Sequence, residues 1–551
     1  MSAATTLPTH ARSSSRSRSA LAGTGAMTRF MLRRDRVRLP VWIAGLTLFG
    51  VGTVGSFEQT YPTAADRATA ADLSSLPAVT AMVGRIYSRD DYTYGVMTGH
   101  QMYVFMALLL GLMSILAFVR HTRAEEETGR AELLRSSVLG RHAQLTAAFI
   151  VVGGANAVTG LLIAAGLSGS GADGVTGEGS LLFAAGLVAA GLVFTAVAAV
   201  TSQITEYARG ASGMALAVLG VTYAVRAVGD VAESGLSWVS PLFWGQVTRS
   251  FAADQRWWPL LLLVALAALL AAVAYALRVR RDVGAGLRPA RLGSATASPA
   301  LSSPLGLAFR LQRATLIAWS VGLLVLAVTY GSLVDSIQDM FDQISSLDDL
   351  IRDIAGATLI ESWLVTVLSL TGMIASIQAV LAVLRLRSEE TAGRAEPILA
   401  TAVSRHRWAA SHLTMAFGGS AAVMILVGLG FGIATALATD DGGWLGDMLA
   451  AAFVQLPAIW VAAGFAMAVI GLAPRLSPLA WLVPAYAIAV VYMGQILRFP
   501  EWTRALSPFG HVPELPAGDF ELVPVILLLA IAAALTWVGL AGLRRRDIPV
   551  G

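Results

Sequence analysis

Stretches of about twenty residues that are apolar and nearly free of charge recur twelve times in this chain, and no other property limits its fold so severely. In hydrocarbon no water satisfies the backbone amides, so a spanning segment must be a helix or part of a closed barrel. A helix rising 1.5 Å per residue needs about 20 residues to cross. The runs at 39–57, 99–119, 143–167, 180–203, 210–229, 257–277, 314–334, 362–384, 409–438, 448–473, 476–497 and 522–543 meet that length. The fifth is the weakest, because only 16 uncharged residues separate Arg209 from Arg226. A further charge-free stretch, LGSATASPALSSPLGLAF at 292–309, is rich in Ser, Pro and Gly and reads as a linker.

Composition narrows the chemistry. The mean hydropathy of +0.67 belongs to a chain whose main solvent is lipid. The chain has no cysteine, which removes disulfides, thiolate metal sites and cysteine nucleophiles together. All 39 basic residues are arginine, so no Walker lysine exists to grip a nucleotide phosphate, and the chain is not a P-loop ATPase by itself. With the N-terminus placed in the cytoplasm, inner segments hold 30 Arg and 11 acids, and outer segments 9 Arg and 24 acids. The positive-inside rule therefore predicts an inner-membrane, multi-pass protein with both termini cytoplasmic. Residues 1–26 read as a disordered cytoplasmic tail rather than a cleaved signal. Residues 27–38 mix Phe30 and Met31 with Arg29, Arg33 and Arg36, as either an interfacial helix or a simple positive flank would.

The chain repeats itself. RAEEETGRAELLRSSVLGRH at 123–142 aligns with RSEETAGRAEPILATAVSRH at 387–406, with nine of twenty positions identical. Trp42 and Gly45 are echoed by Trp319 and Gly322, and Ser240-Pro241 by Ser507-Pro508. Six spans per copy is an even number, so the copies enter the membrane in the same orientation. The expected fold is an all-α polytopic membrane protein of two parallel six-helix repeats, 27–281 and 305–551, joined by a cytoplasmic linker at 282–304.

The repeated segment is dense in mixed charge. Glu125, Glu126, Gly129, Arg130 and Glu132 in one copy, and Glu389, Glu390, Gly393, Arg394 and Glu396 in the other, suit docking on a protein. Gly129 and Gly393 bend or end the helix before each Arg-Ala-Glu triplet, and Leu133 and Leu134, or Pro397 and Ile398, can enter a partner groove. The alternative is a solvated helix laced by local Glu–Arg pairs.

On these segments the layout resembles the transmembrane subunits of ATP-binding cassette exporters of the type 2 permease class, in the fused two-half actinobacterial form of tetronasin, polyketide-antibiotic and multidrug exporters. The resemblance implies elbow helices at 27–38 and 305–316, coupling helices at 123–140 and 387–404, and re-entrant segments at 236–256 and 498–520. It implies two nucleotide-binding ATPase subunits as partners, which would bind the ATP and Mg, with no cofactor in this chain and no nucleic acid. It also implies that the second and fifth spans of each half line the pathway, where Met102, Tyr103, Phe105, Met106, Met113, Tyr223, Trp363, Met373, Tyr486 and Met493 are the candidates. Methionine and aromatic walls suit a hydrophobic small molecule.

Rival readings have less to stand on. An ion-gradient antiporter needs a carboxylate within the membrane; none of the twelve cores contains Asp or Glu, and Glu206, Glu361 and Asp447 lie at edges or in loops. Arg226 is expected to snorkel to the outer surface. No histidine spacing suggests a metal, and loop acids such as Asp90 and Asp91 do not make a catalytic site. A flippase for a lipid or cell-envelope precursor would share the architecture and differ in cargo.

Overall fold

The computed structural model describes residues 20–129, 139–281, 285–287, 295–334, 359–496 and 501–547. The chain divides into two compact units, Met1–Gly293 and Ser294–Gly551. The described elements are all helical, and eleven described helical segments, one of them the interrupted Trp444–Leu472, are long and apolar enough to cross a membrane.

In the first unit α1 (Thr24–Arg34) turns through Asp35–Val37 into α2 (Arg38–Thr60). Short helices α3 (Ala64–Ser74) and α4 (Pro77–Val83) follow at the far end. The long α5 (Tyr94–Glu127) then returns, with a π-helical turn at Thr98–Met102. It is succeeded by α6 (Ala143–Ser168), α7 (Gly177–Ile204), α8 (Ala208–Val231), the short α9 (Pro241–Gln246) and α10 (Pro259–Val279). Helix α7 is the central post, with 78% of its most apolar window buried against 11% for α10. Its sequence explains its place. Gly186, Gly191 and a run of alanines let neighbouring helices approach, and a Cβ on Gly191 would lie 2.7 Å from the Asn156 side chain. Asn156 itself hydrogen-bonds Ser114 at 3.0 Å and Thr195 at 3.4 Å, tying α5, α6 and α7 where no water competes.

The second unit begins with α11 (Pro304–Gly331), one unbroken helix. The expected elbow at 305–316 is therefore not a separate element, because its weakest helix former, Gly306, lies in the first turn where Ser303 caps it, whereas the first unit turns at Asp35–Val37. Then come α12 (Leu359–Thr391), the short α13 (Ala395–Leu399), α14 (Arg405–Thr439), α15 (Trp444–Phe453) and α16 (Leu456–Leu472). The expected tenth span bends between α15 and α16, where Pro457 sits in the first turn of α16. The expected eleventh span opens as a 3-10 segment, Pro474–Trp481, with Pro478 inside it, and only then forms α17 (Leu482–Ile496). The prolines delay the start of its α-helix to Leu482. The unit ends with α18 (Glu501–Leu506) and α19 (Leu522–Arg545), and α19 lies along α16.

The tail at 1–19, residues 282–284 and 288–294 of the linker, and the segments expected to follow the docking turn of the first half and the seventh span fall outside the described residues.

Candidate docking turns and the junctions beneath them

Both repeated segments end a long helix in the same way. Helix α5 stops at Glu127 and α12 at Thr391, and Gly129 and Gly393 follow with φ of 71° and 69°. A left-handed residue is nearly strain-free only as glycine, and it turns the chain sharply at a helix C-terminus. The Gly129 amide donates to the Glu126 carbonyl at 3.1 Å and the Gly393 amide to that of Glu390 at 3.0 Å. The sequence expectation of a break before Arg-Ala-Glu describes this geometry. Past the turn, Arg394, just before α13, and Glu396 on it are exposed, while Arg130 and Glu132 lie outside the described residues.

The glutamates before the turn do something else. Glu125, Glu126, Glu389 and Glu390 are buried, each below a tenth exposed, and engaged by arginines of their own unit. They are held by arginines of their own unit rather than standing as free surface carboxylates. Glu126 receives Arg123 at 2.7 Å, Arg281 at 2.8 and 3.0 Å, and Arg278 at 3.3 Å. Arg281 thus grips both carboxylate oxygens, and Arg278 and Arg281 come from the end of α10 and the residues after it. Glu125 pairs with Arg34 at the end of α1. In the second unit Glu390 receives Arg387 at 3.0 Å and Arg546, directly after α19, at 2.5 Å. Glu389 pairs with Arg385 and Arg394, each at 2.7 Å.

More polar groups gather at the same end of the first unit. Asp35, in the turn between α1 and α2, meets Arg120 at 2.7 Å and His121 at 2.6 Å. Glu127 accepts the Ala208 amide at 2.8 Å, at the start of α8. His142 is held below the ordinary histidine range, first by burial and then by the neighbouring Arg141 and Arg278. Sequence reasoning missed Arg34, Asp35, Arg278, Arg281 and Arg546 as partners. The available signal was the RVRRD run at 278–282 and the RRRD run at 544–547, each closing the last span of its half.

At the opposite end Arg226 does not snorkel outward. It is fully buried, 3.1 Å from the equally buried Asp230 one helical turn on, lies 4.9 Å over the Tyr223 ring, and donates to the carbonyls of Ala81 and Met82 at the end of α4. Asp230 also accepts Ser237 at 2.7 Å and meets Arg85 at 3.4 Å. The carboxylate one residue beyond the expected fifth span is therefore inside the protein, with all its charge answered.

The proposed pathway residues divide. Tyr103, Met106, Met113 and Met373 are fully enclosed in the core of their own units. Tyr103 stands edge-on to Phe183 and donates to the Gly186 carbonyl at 3.2 Å. Met102, Phe105, Tyr223, Trp363 and Tyr486 are half-buried, with Tyr486 donating to the Thr503 carbonyl at 2.9 Å. The side chain of Met493 lies outside the described residues. Among the described residues no group of three or more His, Cys, Asp or Glu could hold a metal ion.

Eleven long apolar helical segments, with charge confined to their ends and to buried ion pairs, define a multi-pass membrane protein. Residues 26–277 and 301–544 match the family described as multidrug efflux system permease Rv1217c, C-terminal domain. The multidrug efflux system permease protein Rv1217c of Mycobacterium tuberculosis (strain ATCC 25618 / H37Rv) is 42% identical over 534 residues, which cover 96% of each chain. The chain belongs to this family of multidrug efflux system permeases.

Proposed function

We propose that this chain is the membrane-spanning subunit of an exporter of hydrophobic, drug-like or antibiotic compounds, and that a separate ATPase powers it by docking on the two turns at Gly129 and Gly393. The observation that carries the export reading is the 42% identity, over 96% of both chains, to a protein named as a multidrug efflux permease. A system of this name implies further subunits, and a chain without lysine leaves the phosphate-gripping Walker role to one of them. Two features support the duplicated architecture: the nine identities between 123–142 and 387–406, and a family match covering 26–277 and 301–544. The arginine distribution supports a cytoplasmic location for both turns and both termini.

Asp230 favours ATP over an ion gradient. It is the carboxylate nearest to what an antiporter would need in the first unit, yet Arg226, Arg85 and Ser237 already occupy it. A proton carrier must be able to lose its counter-charge, and this one is enclosed. Docking would use the exposed groups of the turns, among them Glu127, Arg394 and Glu396, with Arg130 and Glu132 carried over from the repeat.

The test is purification of the native complex followed by export assays. A Walker-motif ATPase should co-purify, and its hydrolysis should rise with transported compounds. Export should survive collapse of the proton gradient at constant ATP. Transport by the isolated chain in sealed vesicles, driven by a gradient alone, would refute the reading.

A further inference from the structure

We propose that Glu126 and Glu390 are positioning residues that yoke each docking turn to the last helix of its own unit, α10 or α19. The inference rests on the docking reading above and deepens it by naming which helix receives the motion. Its geometric basis is that both carboxylates sit within three residues of the left-handed glycine of a turn and bind arginines at the end of a helix more than 140 residues away in sequence.

The linkage has the properties a mechanical joint requires. An exposed ion pair is loose and screened, with a worth of at most about 1 kcal/mol. These pairs are instead buried: the Glu126 side chain is 1% exposed, with Arg278 and Arg281 at 5% and 4%, and the Glu390 side chain is 0% exposed, with Arg546 at 13%. Pulling one partner away would strand a charge in a low-dielectric setting, so turn and helix end move together rather than apart. Arg281 adds bidentate geometry, which resists rotation as well as separation. Arg405, in the first turn of α14, donates to the Arg546 carbonyl at 2.8 Å and holds the second joint in place.

Glu125 and Glu389 do not share this role. Glu125 reaches α1 through Arg34, and Glu389 is satisfied by Arg385 and Arg394 within its own segment. The link to the last helix is the contact made by the second glutamate of the pair in both units, with arginines at different places. In the first unit they are Arg278, in the last turn of α10, and Arg281, two residues past its end; in the second, Arg546 is directly after α19.

The last helix can carry displacement to the other end of its unit. Helix α10 has 21 residues, about 32 Å of rigid rod. At its start Trp258 stacks on Trp238 of the segment Gly235–Val239, with centroids 5.9 Å apart and planes 14° apart. Chains of packed elements of this kind are the physical medium of coupling between distant sites. ATPase movement at a turn would thus reach α10 or α19 together with α5 or α12, the helices that end in the turn.

The experiment uses the full chain with its co-purified ATPase, reading compound exported per ATP hydrolysed together with the amount of protein inserted. Glu390→Arg and Arg546→Glu are each expected to lower that ratio about tenfold, and the double swap, made with Arg387→Gln so that no cation faces the new arginine, to restore it to within about threefold. Glu126→Gln and Glu390→Gln, which remove charge without reversing it, should lower the ratio in the same direction and serve where a swapped chain fails to insert. Single variants with the wild-type ratio would overturn the yoke. So would export and hydrolysis falling in parallel, which is the signature of a merely structural role, or a double swap as uncoupled as either single. Wild-type export that persists without ATP would instead refute the docking reading beneath it.

Discussion

Arg226 shows how far one residue's environment can depart from its address in the sequence. A cation near the end of a span is ordinarily free to reach the headgroups. Here it turns inward because Asp230 lies one helical turn along the same face and the carbonyls of α4 close over both. Removing one member of such a pair leaves the other buried and costs about 3 kcal/mol or more, whereas replacing both with apolar groups is nearly neutral. Arg226→Met should therefore lower the thermal midpoint of the purified protein clearly, and Arg226→Met with Asp230→Leu should recover part of the loss, because Arg85, Ser237 and the Ala81 and Met82 carbonyls still lose a partner. Equal destabilisation by the single and double variants would show that the pair is not the unit of stability at this end.

At the scale of elements, helix contacts follow the distribution of small side chains more closely than overall hydrophobicity. Helices α16 and α19 touch backbone to backbone: a Cβ on Gly471 would lie 2.0 Å from the Gly539 carbonyl, and one on Gly539 would lie 2.5 Å from that of Met467. Lipid offers no hydrophobic drive to associate helices, so close packing of this kind holds them. Gly539→Leu has no flexible neighbour to displace and should cost several kcal/mol, with overpacking penalties commonly about 1–3 kcal/mol even where neighbours yield. The expected result is a lower melting midpoint and less inserted protein, with Ala532→Gly on the same helix much milder. The elements also show where charge-to-charge reading falls short. It located the spans, yet it could not see that α11 would swallow its elbow, or that Pro474 and Pro478 would delay α17, since both outcomes depend on breakers rather than on hydropathy.

For the whole molecule, the testable property is sidedness. The chain contains no native cysteine, so a single introduced one reports without background. Ser15→Cys should resist a membrane-impermeant maleimide in intact cells and react after permeabilisation, and Asp90→Cys should react in intact cells. Labelling in the reverse pattern would invert the topology and move both docking turns to the wrong side for a cytoplasmic ATPase.

Much of the architecture was legible in one dimension because lipid imposes a length and a polarity that any reader can count. The twelve runs anticipate the eleven crossing segments and α17, and the Gly129 and Gly393 turns were visible as breakers in a repeated motif. The candidate site was legible only as a place. Which glutamates face a partner and which face inward depends on arginines brought back from α1, α10 and the residues after α19, and no local pattern encodes a contact across 91 to 156 residues. Likewise Tyr103, Met106 and Met113 look like the lining of a passage until the fold encloses them, with Phe183 and Gly186 of α7 against Tyr103 and Gly50 of α2 beside Met106. Hydropathy is a property of a segment and its solvent, so the sequence alone settled that this chain crosses a membrane many times. Burial and ion pairing are properties of neighbours in space, so only the tertiary structure decided that Glu125, Glu126, Glu389 and Glu390 are buried in ion pairs of their own units while Glu127 and Glu396 stay exposed.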